Sequence, residues 1–345
     1  MVTRIVGVDI GSVVLRAIEL EYGGRGRPRV TRYHEVALPD GAVRNGEVVE
    51  ENTVATALKQ LWSEGKFRSR EVVLGLGNQK VLARDLTVPR ASIEHIRESL
   101  PFQVQDLIPV PVAEALLDFY PIVEVQTDAG PAVSGLLIAA VTSSVLANVN
   151  AVRKAGLWPV DVDLIPFALQ RSIGSEIPGT SAVIDIGATT TNIVISTGGV
   201  PQFVRIIPAG GEDLTKALVA KVGFDRDAAE RAKSGLGMAT GHVLPENRPA
   251  VEVIHEVTSE LLNSLRNTLR YFANTRENGQ VERVVLSGGG ALLPGFAEAL
   301  ASMTSMEVTV ADPFARVDLG KDTGNLAGST ARAAVALGLV LGRAA

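Results

Sequence analysis

The sequence predicts an α/β chain built from two duplicated lobes. The first observation is a pattern that occurs twice: Val6–Leu20 reads VGVDIGSVVLRAIEL and Ala182–Ser196 reads AVIDIGATTTNIVIS. In each copy an apolar run ends at Asp-Ile-Gly, passes through small or polar residues and resumes as an alternating apolar run. That is the signature of two β-strands joined by a tight turn. The second observation is glycine at helix starts: Gly210-Gly211 before one predicted helix, and Gly288-Gly289-Gly290 between a buried strand and another. Glycine turns let backbone N–H groups approach a phosphate, and neighbouring hydroxyls add donors. Gly11 and Ser12 in the first hairpin, with Gly187, Thr190, Thr191 and Asn192 in the second, are therefore candidate phosphate contacts. Asp9 and Asp185 stand at the mouths of the turns and could each hold Mg²⁺, which on a nucleotide keeps several waters and takes few carboxylates. Two hairpins in register, one opening each half, predict lobes that face each other across a nucleotide.

Composition narrows the function classes. Of the 345 residues 46% are apolar but only 4% aromatic, so Val, Leu, Ala and Ile must pack the cores of two ordinary domains. A formal charge of −5 argues against a broad nucleic-acid surface. Without cysteine, disulfides, thiolate chemistry and Cys-based zinc sites are excluded, and His34, His95, His242 and His255 are too scattered for a metal motif. The chain enters its first strand at Arg4-Ile5-Val6, which is read as leaving no room for a signal peptide. Its most apolar stretch, Ala333–Gly342, is about half the length of a membrane helix and is expected to be a buried helix. No basic amphipathic tail is seen before Ala345. A soluble intracellular protein without direct membrane insertion is expected.

The first lobe is placed at 1–178. Strands are expected at 3–10, 13–22 and 29–38, with a glycine-rich turn at Gly23–Pro28. Asn52 or Thr53 is expected to cap a helix to Gly65, on the helical spacing of Val54, Leu58, Leu61 and Trp62. A strand at 71–76 follows. From about 81 to 132 the rhythm changes into a small insertion: Pro89 and Pro101 flank a short helix, and Pro109 and Pro111 force an extended elbow. Phe102, Ile108, Phe119 and Tyr120 gather there in a chain poor in aromatics, either as the insertion's own core or as one wall of a groove, with the first lobe's sheet as the other, for an extended peptide. The lobe is expected to resume with a strand at 133–141, a helix at 143–155 closed by Gly156, a strand at 158–165 and a helix from Pro166, before a linker at Ile177–Thr180.

The second lobe, 179–345, repeats the meander at 181–187, 190–197 and 201–207. A mostly helical insertion, about 211–280, includes a long helix at 251–273. A strand at Val281–Leu286 leads into the triple glycine, followed by a short helix, a strand at 307–310 and a last helix at 326–342. The triple glycine reads as a tight β–α turn or as a flat wall for a base or ribose at a helix N-terminus. Glu230 and Lys233 share a helix face, the usual arrangement of a solvated ion pair.

This order of segments resembles the actin-like ATPases, whose fold is ribonuclease H-like. The match runs through the Asp-x-Gly hairpin, a helix opening on Pro166, the second hairpin, the strand–Gly-Gly-Gly turn and the final helix. Ala229-Glu230-Arg231-Ala232-Lys233 is similar to the adenosine segment of the FtsA-type branch. The stretch Phe102…Asp106-Leu-Ile-Pro109-Val…Asp118-Phe-Tyr120, together with both hairpins, resembles the PilM family of cytoplasmic type IV pilus assembly proteins over nearly the whole chain. The resemblance implies ATP and Mg²⁺ as ligands, with Asp9 and Asp185 at the metal. Arg16, in a slot where the family often has Lys, implies a positive contact to phosphate or a neighbour, and Glu230 and Lys233 contacts to adenosine. It implies an FtsA-type subdomain in the first lobe, and as partner the cytoplasmic N-terminal peptide of a PilN-like membrane protein at Phe102, Ile108, Phe119 and Tyr120. That partner would recruit a cytoplasmic protein to the inner face of the cytoplasmic membrane. Where many hydrolysing members place Glu or Gln, this chain has Ile165, so binding is expected with weak or no ATPase activity. The alternatives are an FtsA-like filament-forming division protein, a small-molecule kinase using Asp161 or Asp163, and a fold that no longer binds nucleotide. Self-association and the particular machine served stay open.

Overall fold

The structure, a computed structural model, describes residues 3–344 apart from 24–26, 239–240, 242, 277–278, 324–325 and 327–329. In the first half, β1 (Thr3–Ile10), β2 (Val14–Tyr22) and β3 (Arg29–Ala37) form the expected meander, antiparallel from Thr3↔Tyr22 to Ile10↔Leu15. Residues 24–26 of the expected glycine-rich turn lie outside the described residues. Strands β4 (Val43–Arg44) and β5 (Glu47–Val48) make a hairpin too short to show any period in the sequence. Helix α1 (Glu51–Gly65) starts earlier than the expected caps, so Asn52 and Thr53 lie inside its first turn and Thr53 Oγ1 donates to Glu50 at 2.8 Å. It buries Val54, Leu58 and Leu61 against the sheet that β6 (Glu71–Leu76) joins.

The chain then leaves the lobe. Strand β7 (Val81–Pro89), helix α2 (Ile93–Gln103), strand β8 (Ala115–Thr127) and strand β9 (Gly130–Val141) form a separate three-stranded sheet, ordered β7-β9-β8 and covered by α2. The strand expected at 133–141 to return the chain to the lobe pairs instead with β7 and β8. Pro101, expected to flank the helix, lies inside α2 near its end. Helix α3 (Thr142–Lys154), closed by Gly156 at φ +79°, then strand β10 (Trp158–Leu164) and helix α4 (Ile165–Ser172), follow the sequence pattern.

In the second half β11 (Thr180–Ile186), β12 (Thr191–Thr197) and β13 (Val200–Ile207) repeat the meander. Helices α5 (Gly211–Val222), α6 (Arg226–Leu236) and α7 (Arg248–Thr275) precede β14 (Arg283–Ser287), α8 (Phe296–Thr304) and β15 (Glu307–Val310). Strand β16 (Asp318–Leu319) and helix α9 (Ala334–Ala344) end the chain. The expected start of the last helix falls partly outside the described residues.

The two main sheets have one topology. The first runs β10-β6-β1-β2-β3-β16 and the second β13-β12-β11-β14-β15, each a meander extended by parallel strands. Read from the meander edge, β3-β2-β1-β6-β10 corresponds to β13-β12-β11-β14-β15. Helices α4 and α9 lie between the sheets. Leu169, Leu337 and Val340 share one buried core with Ile18 and Val73 of the first sheet and Val183 and Val194 of the second. A side chain at Gly338 would put its Cβ 1.9 Å from the Ala168 carbonyl oxygen, so only glycine permits α9 to lie this close to α4. No helix among the described residues is long and apolar enough to cross a membrane.

Candidate functional site

A cleft of about 910 Å³ opens where the two hairpin turns meet. The hairpins match in detail. Asp9 pairs with Arg16 in the register of β1 and β2, as Asp185 pairs with Asn192 in β11 and β12. Gly11 N–H donates to the Val14 carbonyl at 3.2 Å and Gly187 N–H to the Thr190 carbonyl at 2.9 Å. The Ser12 and Thr189 hydroxyls touch at 2.5 Å, so the turns meet directly across the cleft.

Asp9, Gly11, Ser12, Arg16, Asp185, Gly187, Thr190, Asn192, Gly210, Gly211, Glu230, Lys233 and Gly288–Gly290 all line this space. Thr191 does not. Strand alternation turns it away from Asn192, it is fully buried, and its Oγ1 donates to the Ala209 carbonyl at 2.8 Å. It is therefore removed from the candidate contacts. The Gly210-Gly211 pair also differs from expectation. Gly211 N–H is spent on the Gly187 carbonyl (3.0 Å), Glu212 N–H on the Ala188 carbonyl (2.7 Å) and Gly210 N–H on Asp213 Oδ2 (2.9 Å). These groups clamp the second hairpin to α5 rather than present donors. In the triple glycine the tight turn is present, and one of its residues also faces open space. Gly288 has φ +84°, and a Cβ on Gly290 would sit 2.3 Å from Ile186 Cγ2, as a tight turn demands. Gly289 has open space, with nothing nearer to a Cβ than Arg332 Nε at 3.8 Å.

The charges in the cleft are arranged asymmetrically. Asp9 and Asp185, read from the sequence as turn carboxylates, are only 9% and 8% exposed. Burial raises the pKa of Asp9, against the pull of Arg16, whose Nη1 lies 3.7 Å from its carboxylate. Arg16 is itself anchored by Glu35 at 3.0 Å, and Tyr33 donates to the same carboxylate at 2.8 Å. Asp185 has no such cation at bonding distance among the described residues. Burial, then the charge of Asp9, pushes its pKa up to about 7, while Ser287 and Arg16 oppose the rise. Lys233, read as half of a solvated pair, is more enclosed. Its ammonium donates to Glu230 (2.9 Å), Thr215 (2.8 Å) and the Gly211 carbonyl (3.0 Å), tying α6 to α5. Burial would raise the pKa of Glu230, but the bonds from Thr215 and Lys233 outweigh it and the net shift is downward.

Two buried polar atoms in the lining have no hydrogen-bond partner among the described residues: Asn192 Oδ1, an acceptor, and Arg332 Nε, a donor. A ligand offering both a donor and an acceptor would satisfy them. The sequence reading missed Arg332; its only signal was a lone cation ahead of an apolar helix. Ile165 lines the cleft, packed so closely on Gly77 that a Cβ there would lie 2.8 Å from Ile165 Cδ1. Neither aspartate weighed as a kinase base lines the cleft. Asp163 is ion-paired with Arg171, and Asp161 lies 3.7 Å from Arg343.

The profile described as type IV pilus assembly protein PilM matches residues 7–344. The chain belongs to the PilM family. A solved structure titled PilM-PilN type IV pilus biogenesis complex superposes with a TM-score of 0.86 at 28% identity, covering 99% of both chains. Cell division protein FtsA of Bacillus subtilis is 23% identical over 321 residues, 80% of this chain and 72% of that protein. MreB 5 of Spiroplasma citri bound to AMPPNP shares the fold, with a TM-score of 0.53 at 14% identity over 98% and 95% of the chains. The fold is therefore the actin-like, two-lobed one that the hairpin order implied.

In this PilM-family chain the residues expected to line a peptide groove do not form a cluster. Ile108 and Phe119 are buried in the insertion's own core with Leu100 and Leu137. Tyr120, on the opposite face of β8, stacks at 5.0 Å on Phe167 of α4. Phe102 alone is open, at 81% exposure. A second cavity of about 440 Å³ separates Ile122 and Val123 of the insertion from Val200, Gln202 and Phe272, so its other wall is the second lobe.

Proposed function

We propose that the chain binds ATP with Mg²⁺ between its lobes and works as a nucleotide-dependent adaptor in a type IV pilus or related assembly machine. The supporting observation is the pair of register-matched hairpins, whose turns, buried aspartates and two unpartnered polar atoms face one cleft. The donor set fits Mg²⁺: the two hairpins bring two carboxylates, Asp9 and Asp185, into the cleft, and no group of three or more metal-ligating side chains occurs among the described residues. A metal held by few carboxylates takes its remaining ligands from phosphate and water. When bound, Mg²⁺ would neutralise phosphate charge beside Asp9 and Asp185. Arg16 offsets part of the burial cost at Asp9, Ser12 and Thr190 supply hydroxyls, and Gly289 leaves room for the flat part of a nucleoside.

Ile165 stands where a water-positioning side chain would be needed and has no polar atom, so turnover is slow or absent. The partner we propose is the cytoplasmic N-terminal peptide of a PilN-like membrane protein, docked on the insertion with Phe102 as its apolar contact. The AMPPNP bound by the MreB relative and the PilN bound in the PilM-PilN complex support these two readings. Calorimetry with Mg·ATP tests the first: binding to the unmodified protein, weakened by Asp9→Ala, is expected. No heat of binding at millimolar ATP overturns it. Capture on an immobilised PilN-like peptide, lost on Phe102→Ser, tests the second.

A further inference from the structure

The end of the first lobe away from the cleft carries a surface that nucleotide binding leaves unexplained. In the sheet β10-β6-β1-β2-β3-β16, strands β1, β6, β10 and β3 all point the same way. Asp9 and Ile165 therefore lie at one end and Thr3, Arg29, Glu71 and Trp158 at the other. Six strands make that end roughly 24 Å wide. Arg27, Arg29, Lys66, Arg68, Arg70 and Arg153 are exposed there, and none makes an ion pair with a described residue. Most exposed carboxylates nearby are engaged, Glu64 by His34 and Gln60, Asp161 by Arg343 and Asp322 by Arg32, while Glu71 and Asp318 make no ion pair with a described residue. In a chain of net charge −5 this is a strong local excess of cations.

The basic loop at 66–70 is fixed in place. Glu19, fully buried, accepts from Arg68 N–H at 2.7 Å and Ser69 N–H at 2.9 Å, while Thr31 donates to its other oxygen at 2.8 Å. Burying a carboxylate is costly unless such bonds satisfy it. Here they stitch the loop to β2 and β3 and leave its arginine side chains without a carboxylate partner among the described residues, Arg70 reaching only the Gly156 carbonyl at 3.4 Å. Trp158 follows directly: its N–H donates to the Arg70 carbonyl at 2.8 Å, yet its side chain is 62% exposed, and Val160 two residues on is 38% exposed. A projecting indole among unpaired arginines matches the boundary of an anionic bilayer. There tryptophan sits at headgroup level and cations meet lipid phosphate. Duplex nucleic acid would use the arginines but has no place for the indole and valine.

We propose that this end of the first lobe is a peripheral contact for anionic phospholipid, acting without any protein partner. Flotation with vesicles of phosphatidylethanolamine and phosphatidylglycerol should carry the intact protein. Phosphatidylcholine vesicles should not, and rising salt should release it. Each cation removed should lower partitioning about fivefold, so Arg68→Ser, Arg70→Ser and Arg153→Ser together should lower it by roughly 100-fold. Trp158→Ala should abolish the blue shift of tryptophan emission on vesicle addition. Mg·ATP binding should be unchanged in these variants, since none touches the cleft. Should the triple variant melt early, Arg153→Glu at an exposed helix end must still cut partitioning by roughly 25-fold. Absence of flotation by the intact protein, or equal flotation by Arg153→Glu, overturns the proposal. So does tighter, arginine-dependent binding to duplex DNA than to vesicles, which would make the surface a nucleic-acid contact.

Discussion

Replacing Asp185 by Asn tests the asymmetry of the cleft. The two residues have nearly the same shape, so the change removes a titration rather than a contact. In the unfolded chain the carboxyl loses its proton near 3.8, and in the folded protein burial and Asp9 hold the pKa at about 7. Between those values the folded state binds more protons than the unfolded, so stability falls as pH rises, and the loss is complete above the folded pKa. Each pH unit in the window costs about 1.4 kcal/mol. From pH 5 to pH 7, where the folded group is half ionised, the nucleotide-free protein should lose about 2 kcal/mol that Asp185→Asn does not. Asp9 and Asp185 titrate as a pair, so the measured midpoint belongs to both. Urea unfolding at several pH values, with chelator and without nucleotide, reads the difference. The variant should gain on the unmodified protein as pH rises. Parallel profiles would refute the reasoning, because they would mean that Asp185 is already ionised in the empty cleft. The same substitution should weaken Mg·ATP binding at least tenfold, since it removes one of the two hairpin carboxylates that face the metal.

Three further outcomes follow from single contacts. Ile165→Gln, which puts an amide where water could be held, should raise phosphate release by on the order of 10²-fold, and an unchanged rate would exclude Ile165 as the reason for slow turnover. Gly338→Ala forces a Cβ to within 1.9 Å of the Ala168 carbonyl oxygen. It should therefore destabilise the protein by about 1–3 kcal/mol, measured by denaturant unfolding, and a neutral result would mean that α9 slides freely on α4. Phe102→Ser should leave stability within about 0.5 kcal/mol while lowering peptide capture, and Phe119→Ser should do the reverse, costing several kcal/mol from the insertion's core.

Much of this was legible in the chain because it rests on local pattern. Alternating apolar residues around Asp-Ile-Gly set both hairpins, and their ends agree with β1, β2, β11 and β12 to within a residue or two. What failed depended on who pairs with whom. The strand ending at Val141 reads the same in any sheet, and only its pairing with β7 and β8 puts it in the insertion. Ile108, Phe119 and Tyr120 are near neighbours in sequence, yet strand alternation sends Phe119 into one core and Tyr120 against α4. Gly210-Gly211 looked like a donor-rich turn, and nothing local reveals that the Gly211 N–H is already taken by the Gly187 carbonyl and the Gly210 N–H by the Asp213 carboxylate. Arg332 was invisible for the same reason: an unpartnered nitrogen is a property of packing.

The duplication carries one further consequence. The same register places a residue opposite each aspartate, but it is Arg16 in the first hairpin and Asn192 in the second. Arg16 opposes the rise that burial imposes on Asp9, and the charge of Asp9 adds to burial in raising the pKa of Asp185. A cation arriving between them replaces the Asp185 proton, so Mg·ATP binding near neutral pH should release protons to the solvent. Measuring the binding heat in buffers of different ionisation enthalpy counts them. Release is expected at pH 6 and should vanish by about pH 9, two units above the folded pKa, where the site is already ionised. Uptake, or release that persists unchanged at high pH, would show that the second hairpin's aspartate is not the group the cation displaces. Arg16→Gln should move the proton toward Asp9 and shift the window, because the asymmetry of the cleft originates in that one side chain.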